Sequence, residues 1–186
     1  MHIAAKQSPP FLEGFVLNSE KKKVYTVSMV PYGFYKVQDR YFQDFPSPED
    51  RYMHNKSENR PYYLSLQDQN GIIWLLPMSS QVEKYKRKIE ADERRYGTCT
   101  TCYILPFMGG ERAVLIGNMI PVIQEYIAGE YTIANRHYIV KNQDAIKAIR
   151  KRTNKYLTLV RQGRLRPYVD ILATERKLLQ RLSDQT

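Results

Sequence analysis

The pattern of apolar and polar positions predicts an antiparallel sheet in the middle of the chain. Two apolar segments, "YYLSLQ" and "IIWLLPM", flank the turn sequence "DQNG", whose Asn70-Gly71 pair suits a tight turn with positive φ. The second segment is apolar on both faces, which predicts a central strand in a curved or closed sheet. A further hairpin around Gly109-Gly110 joins "CTTCYILPFM" to "ERAVLIGNMI".

The last third of the chain has helical periodicity. Positions three and four residues apart form one face of a first helix, and Gly163 and Pro167 separate it from a second. The first face comprises Ile146, Ile149, Thr153, Tyr156 and Val160, and the second comprises Ile171, Leu172, Glu175, Leu178, Leu179 and Leu182. We therefore expect two amphipathic C-terminal helices.

The N-terminal part is less regular. Residues 1–20 form an extension without a clear pattern, and "KKVYTVS" alternates as a first strand that ends before Pro31. "PYGFYKV" reads as a turn or a short helix, and the proline-rich segment 44–61 as a long loop. The pattern predicts one α+β domain over residues 21–186.

The excess of positive charge indicates a polyanionic partner. The 186 residues carry a net charge of +10, and 15 of them are tyrosines. Cations bind phosphates and aromatic faces stack on unpaired bases, so nucleic acid is the first expectation and an anionic membrane the second. No apolar run approaches the ~20 residues of a membrane span, and no signal peptide is evident, which predicts a cytoplasmic protein.

The positive charge is concentrated in the first C-terminal helix and its surroundings. Residues 141–166 hold nine Lys or Arg and a single acid, Asp144. A solvated helix face usually mixes both signs, so this imbalance favours a polyanion lying along it. The side chains expected to contact RNA there are Lys147, Arg150, Lys151, Lys155 and Arg161.

The residue types favour cleavage of RNA without a metal or cofactor. The sequence has no phosphate-binding glycine loop, no paired His and Cys set and no cluster of acids. Hydroxyls, tyrosines, lysines and arginines remain. RNA supplies its own 2′-hydroxyl nucleophile, so the protein needs to orient the backbone, stabilise charge on phosphorus and move protons.

The segment "LLPMSSQVEKYKRK" brings two hydroxyls to the start of a basic run. Ser80 and Glu83 have the spacing of a capping box, the ordinary start of a helix. Alternatively, Ser79 and Ser80 hold a phosphate, and a helix N-terminus behind them is compatible with that role. Of the cations that follow, Lys84 is expected to act in catalysis, and Lys86, Arg87 and Lys88 are expected to bind RNA together with Lys56.

Other candidates precede the serines in the sequence. Tyr32 and Tyr35 follow the first strand, and Arg60 precedes the second. Tyr32 or Tyr35 is expected to share proton transfer and charge stabilisation with Lys84. Tyr52, His54 and Lys56 lie in the long loop, with His54 an acid–base candidate by residue type. We expect these segments to converge on the serines because the sheet is antiparallel.

The two cysteines, Cys99 and Cys102, have the spacing of a redox pair or of half a zinc site. Their segment reads as a strand, in which residues three apart point to opposite faces. The sequence therefore favours a structural role for both.

The order of these motifs resembles the ToxN/AbiQ family, the endoribonuclease toxins of type III toxin–antitoxin systems. The pieces that carry the resemblance are "VYTVS", "RPYYLSL", "WLLPMSSQVEKY", "VLIGNMIPV" and "LLQRL", within residues 23–183. The resemblance implies a strongly curved antiparallel sheet like that of MazF/Kid toxins, with peripheral helices. It also implies metal-free cleavage to a 2′,3′-cyclic phosphate.

The resemblance further implies partners and site residues. Family members are held in a protein–RNA assembly by an antitoxin RNA of pseudoknotted repeats, and act in phage defence by abortive infection. The catalytic serine of the family falls on Ser80, its preceding hydroxyl on Ser79, its early tyrosine on Tyr32 and its basic residue on Arg60. Where the family often has lysine this chain has Val82, so Lys84 or Lys86 would serve instead.

Two other functions fit the same sequence. A non-catalytic RNA-binding module would use the same basic surface. A DNA-binding regulator would use the last two helices as a helix-turn-helix, although the turn "RQGRLRP" is long for that motif.

Overall fold

The computed structural model describes residues 29–46, 55 and 57–184. The predicted first strand, the N-terminal extension and the loop candidates Tyr52, His54 and Lys56 lie outside the described residues. The division into an extension at 1–20 and a domain at 21–186 therefore stays a prediction.

The described residues form an antiparallel sheet with helices around it, which confirms the α+β prediction. The main sheet has the order β4-β5-β3-β2-β1-β7, with β6 also paired to β3, and β8 and β9 form a separate hairpin. The strands are β1 (Phe34–Val37), β2 (Tyr62–Gln67), β3 (Ile73–Ser79), β4 (Tyr103–Phe107), β5 (Gly110–Val114), β6 (Ile120–Val122), β7 (Ile127–Glu130), β8 (Thr132–Ile133) and β9 (Arg136–His137). The helices are α1 (Asp39–Asp44), α2 (Val82–Tyr96), α3 (Gln143–Arg161) and α4 (Ile171–Ser183).

The predicted central hairpin is confirmed. Gly71 has a φ of +86°, and the Asp68 carboxylate accepts hydrogen bonds from the main-chain N–H groups of Asn70 and Ile72. Strand β3 pairs with β2 on one side and with β6 and then β5 on the other, so it is central along its length. This strand positions the two serines at its end.

The sheet is strongly curved. Strands β4 and β1 are four steps apart in the sheet, which is roughly 19 Å if the sheet were flat. The rings of Phe107 on β4 and Phe34 on β1 nevertheless have centroids 5.6 Å apart. Tyr138 completes this aromatic cluster, with its ring 4.6 Å from that of Phe107. The curvature buries the concave face as the core.

Both C-terminal helices form as the periodicity predicts. All five members of the predicted α3 face are buried, and Asn142 caps the helix by accepting the N–H of Ala145. Tyr156 donates to the carbonyl of Gly117, and Thr153 is bonded to Ser65, so α3 is fixed to the sheet. Its basic side therefore faces solvent. None of the helices in the described part is both long and apolar enough to cross a membrane.

Three local predictions are wrong. Residues 31–37 contain strand β1 instead of a turn or short helix, because Phe34, Tyr35 and Val37 are all buried in the sheet. The segment "ERAVLIGNMI" is broken by a short 3-10 turn at Ile116–Asn118, which shifts the chain from β5 to β6. Cys99 and Cys102 precede β4 in a bend, so their side chains do not point to opposite faces.

Candidate active site

The two serines lie at the open end of β3. Ser79 is the last residue of the strand and half-buried, while Ser80 is exposed. The Ser79 hydroxyl oxygen accepts the main-chain N–H of Gln81 at 3.1 Å. Because its oxygen accepts that bond, its O–H proton remains directed elsewhere and can donate to an anion.

The predicted capping box does not form. Helix α2 begins at Val82, Gln81 is its N-cap residue, and no side chain caps it by a hydrogen bond. The Ser80 main-chain carbonyl, not its hydroxyl, accepts the N–H of Val82 at 2.9 Å. Ser79 makes the local turn bond in place of Ser80, which leaves the Ser80 hydroxyl on the surface. The start of α2 at this point contributes a positive potential beside both hydroxyls.

Arg60 lies beside the serines, as the sequence predicts. Extending the β2–β3 register by two residues from the Tyr62–Pro77 pair places Arg60 opposite Ser79. Its Nη2 donates to the carbonyl oxygen of Met78 at 3.3 Å, and its guanidinium stacks 5.9 Å from the centre of the Tyr62 ring. The cation is therefore anchored on the residue directly before the serine pair.

Arg112 lies on the opposite side of the serines and was missed by sequence reasoning. Ser79 pairs with Ala113 on β5, so the next register position places Arg112 beside Ser80. Its Nη1 donates to the Glu111 carbonyl, and its guanidinium lies 5.8 Å from the centre of the Phe107 ring. Its place follows from the β3–β5 pairing, for which the sequence has no local signal. We call Arg60, Ser79, Ser80 and Arg112 the serine edge.

The four cations of α2 divide into two groups. Lys86 forms ion pairs with Glu111 at 2.7 Å and Glu83 at 3.4 Å, and hydrogen bonds to these carboxylates raise its pKa. Lys88 pairs with Asp92 at 2.9 Å. Lys84 and Arg87 are exposed, and the Lys84 ammonium lies 5.6 Å from the Tyr85 ring centre. Lys84, in the first turn, is the α2 cation nearest to the serines in the sequence.

Tyr35 is not at the serine edge. It is fully buried, and its hydroxyl accepts the N–H of Val30 and donates to the Val30 carbonyl. Burial raises its pKa, which opposes ionisation. The expectation that Tyr35 transfers protons at the serine edge is therefore wrong for this arrangement: its hydroxyl fixes the chain that enters β1.

Tyr32 lies at the far end of the β2–β3 hairpin. It lines a small cavity of about 200 Å³ with Leu64, Leu66 and Arg150, whereas the serine edge lies beyond the other end of β2. Its backbone is about five strand positions from Ser79, or roughly 15 Å along the strands. The expected convergence of Tyr32 on the serines is thus not found, and Tyr32 instead stands next to the basic helix through Arg150.

The cations of α3 are mostly exposed. Lys147, Arg150, Lys151 and Lys155 face solvent along the helix. Arg161 differs, because its Nη2 pairs with Glu175 of α4 at 2.7 Å and its guanidinium lies over Trp74. We call Lys147, Arg150, Lys151 and Lys155 the α3 basic face.

Comparisons with known proteins place this geometry in context. No family model and no curated protein matches the sequence. A solved structure described as "A processed non-coding RNA regulates a bacterial antiviral system" matches 78% of this chain and 96% of its own, with a TM-score of 0.54 and 15% identity. That structure is the complex of ToxN with its antitoxin RNA.

The chain shares the fold of ToxN. At 15% identity the likeness establishes the architecture alone, and the match spans nearly the whole of the ToxN chain. The resemblance seen in short sequence motifs and the likeness of the folds therefore agree.

Proposed function

We propose that this protein is a metal-independent, sequence-selective endoribonuclease toxin of the ToxN type, inhibited by a structured antitoxin RNA. The observation that carries the proposal is the serine edge, where two hydroxyls lie at the start of a helix beside the anchored Arg60, with Arg112 on the neighbouring strand β5. The fold shared with a protein of a bacterial antiviral system supports it. The protein would act in the cytoplasm, in phage defence by abortive infection.

The serines bind the scissile phosphate. The Ser79 oxygen is already engaged by the Gln81 N–H, so its proton donates to a phosphate oxygen. The exposed Ser80 hydroxyl donates to a second oxygen and is the catalytic hydroxyl of the pair. Two donors on one phosphate fix the orientation in which the 2′-oxygen, phosphorus and 5′-oxygen come into line.

The arginines stabilise the charge that develops on phosphorus. The attack of the 2′-hydroxyl adds negative charge to the phosphate oxygens, and fixed cations lower the barrier more than mobile ones. Arg60 is held by the Met78 carbonyl, so this cation needs little ordering when RNA binds. Arg112, across the β3–β5 pairing, is the second cation. The 2′-hydroxyl passes its proton to solvent water as it attacks. Lys84 donates a proton to the leaving 5′-oxygen and regains one from solvent.

The α3 basic face binds the antitoxin RNA. Its four exposed cations attract phosphates without forming part of the serine edge. Affinity for RNA and cleavage of RNA therefore depend on separate residues.

Incubation of total RNA with the protein in EDTA, followed by mapping of new ends, tests the proposal. The protein is expected to cut at a short recurring sequence in EDTA. Binding without new ends would establish an RNA-binding module instead, and cleavage that stops in EDTA would establish a metal-dependent nuclease. Expression without the cognate RNA is expected to arrest growth.

A further inference from the structure

The cysteine pair forms a second chemical site, unrelated to RNA cleavage. The Sγ atoms of Cys99 and Cys102 are 3.5 Å apart in the bend that connects α2 to β4. Both residues are buried and reduced. Among the residues that the structure describes, no three His, Cys, Asp or Glu side chains are grouped to hold a metal ion. Two thiols at this separation are instead placed to become a disulfide.

The surroundings distinguish the two thiols. Cys99 donates to the Asp92 carboxylate at 3.4 Å, and Thr101 Oγ1 lies 3.6 Å from its sulfur. Lys88 holds the same carboxylate at 2.9 Å, which offsets its negative charge. Hydrogen bonds, chiefly the one from the Cys102 thiol, lower the pKa of Cys99 to about 6. The hydrogen bond between the two thiols, together with burial, raises the pKa of Cys102. We therefore expect Cys99 to react first and Cys102 to follow.

Gly117 and Arg152 hold the bend in place. The carbonyl of Thr101 accepts the N–H of Gly117 at 2.8 Å, and the carbonyl of Cys102 accepts Nη1 of Arg152 at 3.2 Å. The Arg152 guanidinium also lies 5.0 Å from the Tyr103 ring centre. These contacts fix the chain from Thr101 to Tyr103, which holds the Cys102 sulfur beside that of Cys99 without a covalent link.

We propose that Cys99 and Cys102 form a reversible dithiol–disulfide site whose oxidant is hydrogen peroxide. Both residues are at most 1% exposed, so a water-sized neutral oxidant reaches them more readily than a bulky disulfide. The proposal is independent of the RNA-cleavage proposal.

The reaction has two balanced steps. The Cys99 thiolate attacks one peroxide oxygen, an S–O bond forms, the O–O bond breaks, and the hydroxide that leaves takes up a proton. Cys102 then loses its proton and attacks Cys99 Sγ. The S–S bond forms, the S–O bond breaks, and the hydroxide that leaves takes up a proton to become the second water. Two thiols are oxidised and one peroxide is reduced to two waters.

The native protein, treated with hydrogen peroxide and then with an alkylating agent, provides the test. Trypsin releases both cysteines in one peptide, residues 96–112, because Arg95 and Arg112 bound it. We expect both cysteines of this peptide to resist alkylation, to lose one hydrogen each and to regain their thiols with dithiothreitol. Fragment masses separate this change from oxygen added to the exposed Met108. Two unreacted thiols, a cross-link between chains, or oxygen added to Cys99 beside a free Cys102 thiol would each overturn the proposal.

Single substitutions test the order of attack. In Cys102→Ser we expect peroxide to add oxygen to Cys99, since no second thiol can displace it. In Cys99→Ser we expect Cys102 to stay reduced under the same treatment. Serine preserves the size and the hydroxyl donor, and circular dichroism verifies that each variant is folded. Equal reactivity of the two single-thiol variants would contradict the assigned order.

Discussion

Arg60 donates a hydrogen bond from Nη2 to the carbonyl oxygen of Met78, 3.3 Å away. This bond joins the segment before β2 to the last residues of β3 and holds a guanidinium beside the serine pair. Arg112 belongs to β5, which pairs with the other side of β3, so arginines from distant parts of the sequence stand on both sides of the strand that carries the serines.

Replacement of Ser80 with alanine is expected to separate cleavage from binding. Loss of one donor to a developing oxyanion costs roughly 100- to 1,000-fold in rate, whereas the α3 basic face retains the affinity. Rates of RNA cleavage and a filter-binding isotherm measure the two effects. Ser183→Ala, at the exposed end of α4, is the matched control. An equal loss of binding and cleavage in a folded Ser80→Ala protein would show that the roles are not separate.

Replacement of Arg112 with glutamine is expected to slow cleavage by roughly 10- to 1,000-fold, since a fixed cation beside the phosphate is lost. Single-turnover rates with saturating protein isolate the chemical step. Arg94→Gln, which removes an exposed charge further along α2, is the control for net charge. If both variants cleave at the wild-type rate, Arg112 has no part in the reaction.

Neutralisation of the α3 basic face is expected to weaken RNA binding and its dependence on salt. Replacing its four cations with glutamine should reduce the slope of log K against log salt by roughly 3, at about 0.7 for each single-strand phosphate contact. A control with the same change of charge replaces the exposed residues Arg94, Arg95, Arg176 and Lys177. Equal slopes for the two variants would indicate a general charge effect and no binding face.

Gly33→Ala is expected to destabilise the fold by about 1–3 kcal/mol. A Cβ at this position would lie 2.6 Å from Cε1 of His137, whose ring is hydrogen-bonded to the Phe34 carbonyl and cannot move away freely. Urea unfolding measures the loss. Adding His137→Ala should recover part of it, because the contact ring is gone; strictly additive losses would contradict this explanation.

Asp44 is expected to stabilise the protein at neutral pH but not in acid. Hydrogen bonds from Tyr126 and Arg181 lower the pKa of Asp44 from its ordinary value of 3.8. A carboxyl with a depressed pKa stabilises the fold above its unfolded pKa, and this contribution is lost as the pH falls through the folded value. Asp44→Asn should therefore cost about 1 kcal/mol at pH 7, with a smaller difference from wild type below about pH 4.

Urea unfolding of the wild type and of Asp44→Asn, at pH 7 and at about pH 3, measures this difference in stability. Asp184→Asn, which changes an exposed carboxyl at the end of α4, is the control. A constant difference between wild type and Asp44→Asn from pH 7 to pH 3 would contradict the assigned linkage.

The sequence predicted the parts of the fold that depend on local pattern. Asn70-Gly71 predicts a tight turn because this pair readily adopts positive φ angles. Strand β3 is apolar on both faces, which predicts a position in the centre of the sheet. The α3 face from Ile146 to Val160 follows from helical spacing. The Ser79–Ser80 pair was found because hydroxyls and cations adjoin in the sequence.

The features that the sequence did not predict depend on contacts between distant segments. Arg112 reaches the serine edge through a strand pairing that leaves no sign near residue 112. Tyr32 and Tyr35 have the same residue type, yet the sheet buries Tyr35 and places Tyr32 beside Arg150. The cysteine pair was read as part of a strand because its apolar neighbours in β4 extend the same pattern. Strand pairing and burial, which depend on distant segments, determine where these side chains lie.

The chemistry of the RNA ends tests the central claim most directly. Attack by the 2′-hydroxyl leaves a 2′,3′-cyclic phosphate on one fragment and a 5′-hydroxyl on the other, with or without EDTA. We expect a defined RNA cut by the wild-type protein in EDTA to be labelled by polynucleotide kinase without prior dephosphorylation. Products that carry a 5′-phosphate would show that water or another nucleophile attacks phosphorus, and would contradict the role assigned to the serine edge.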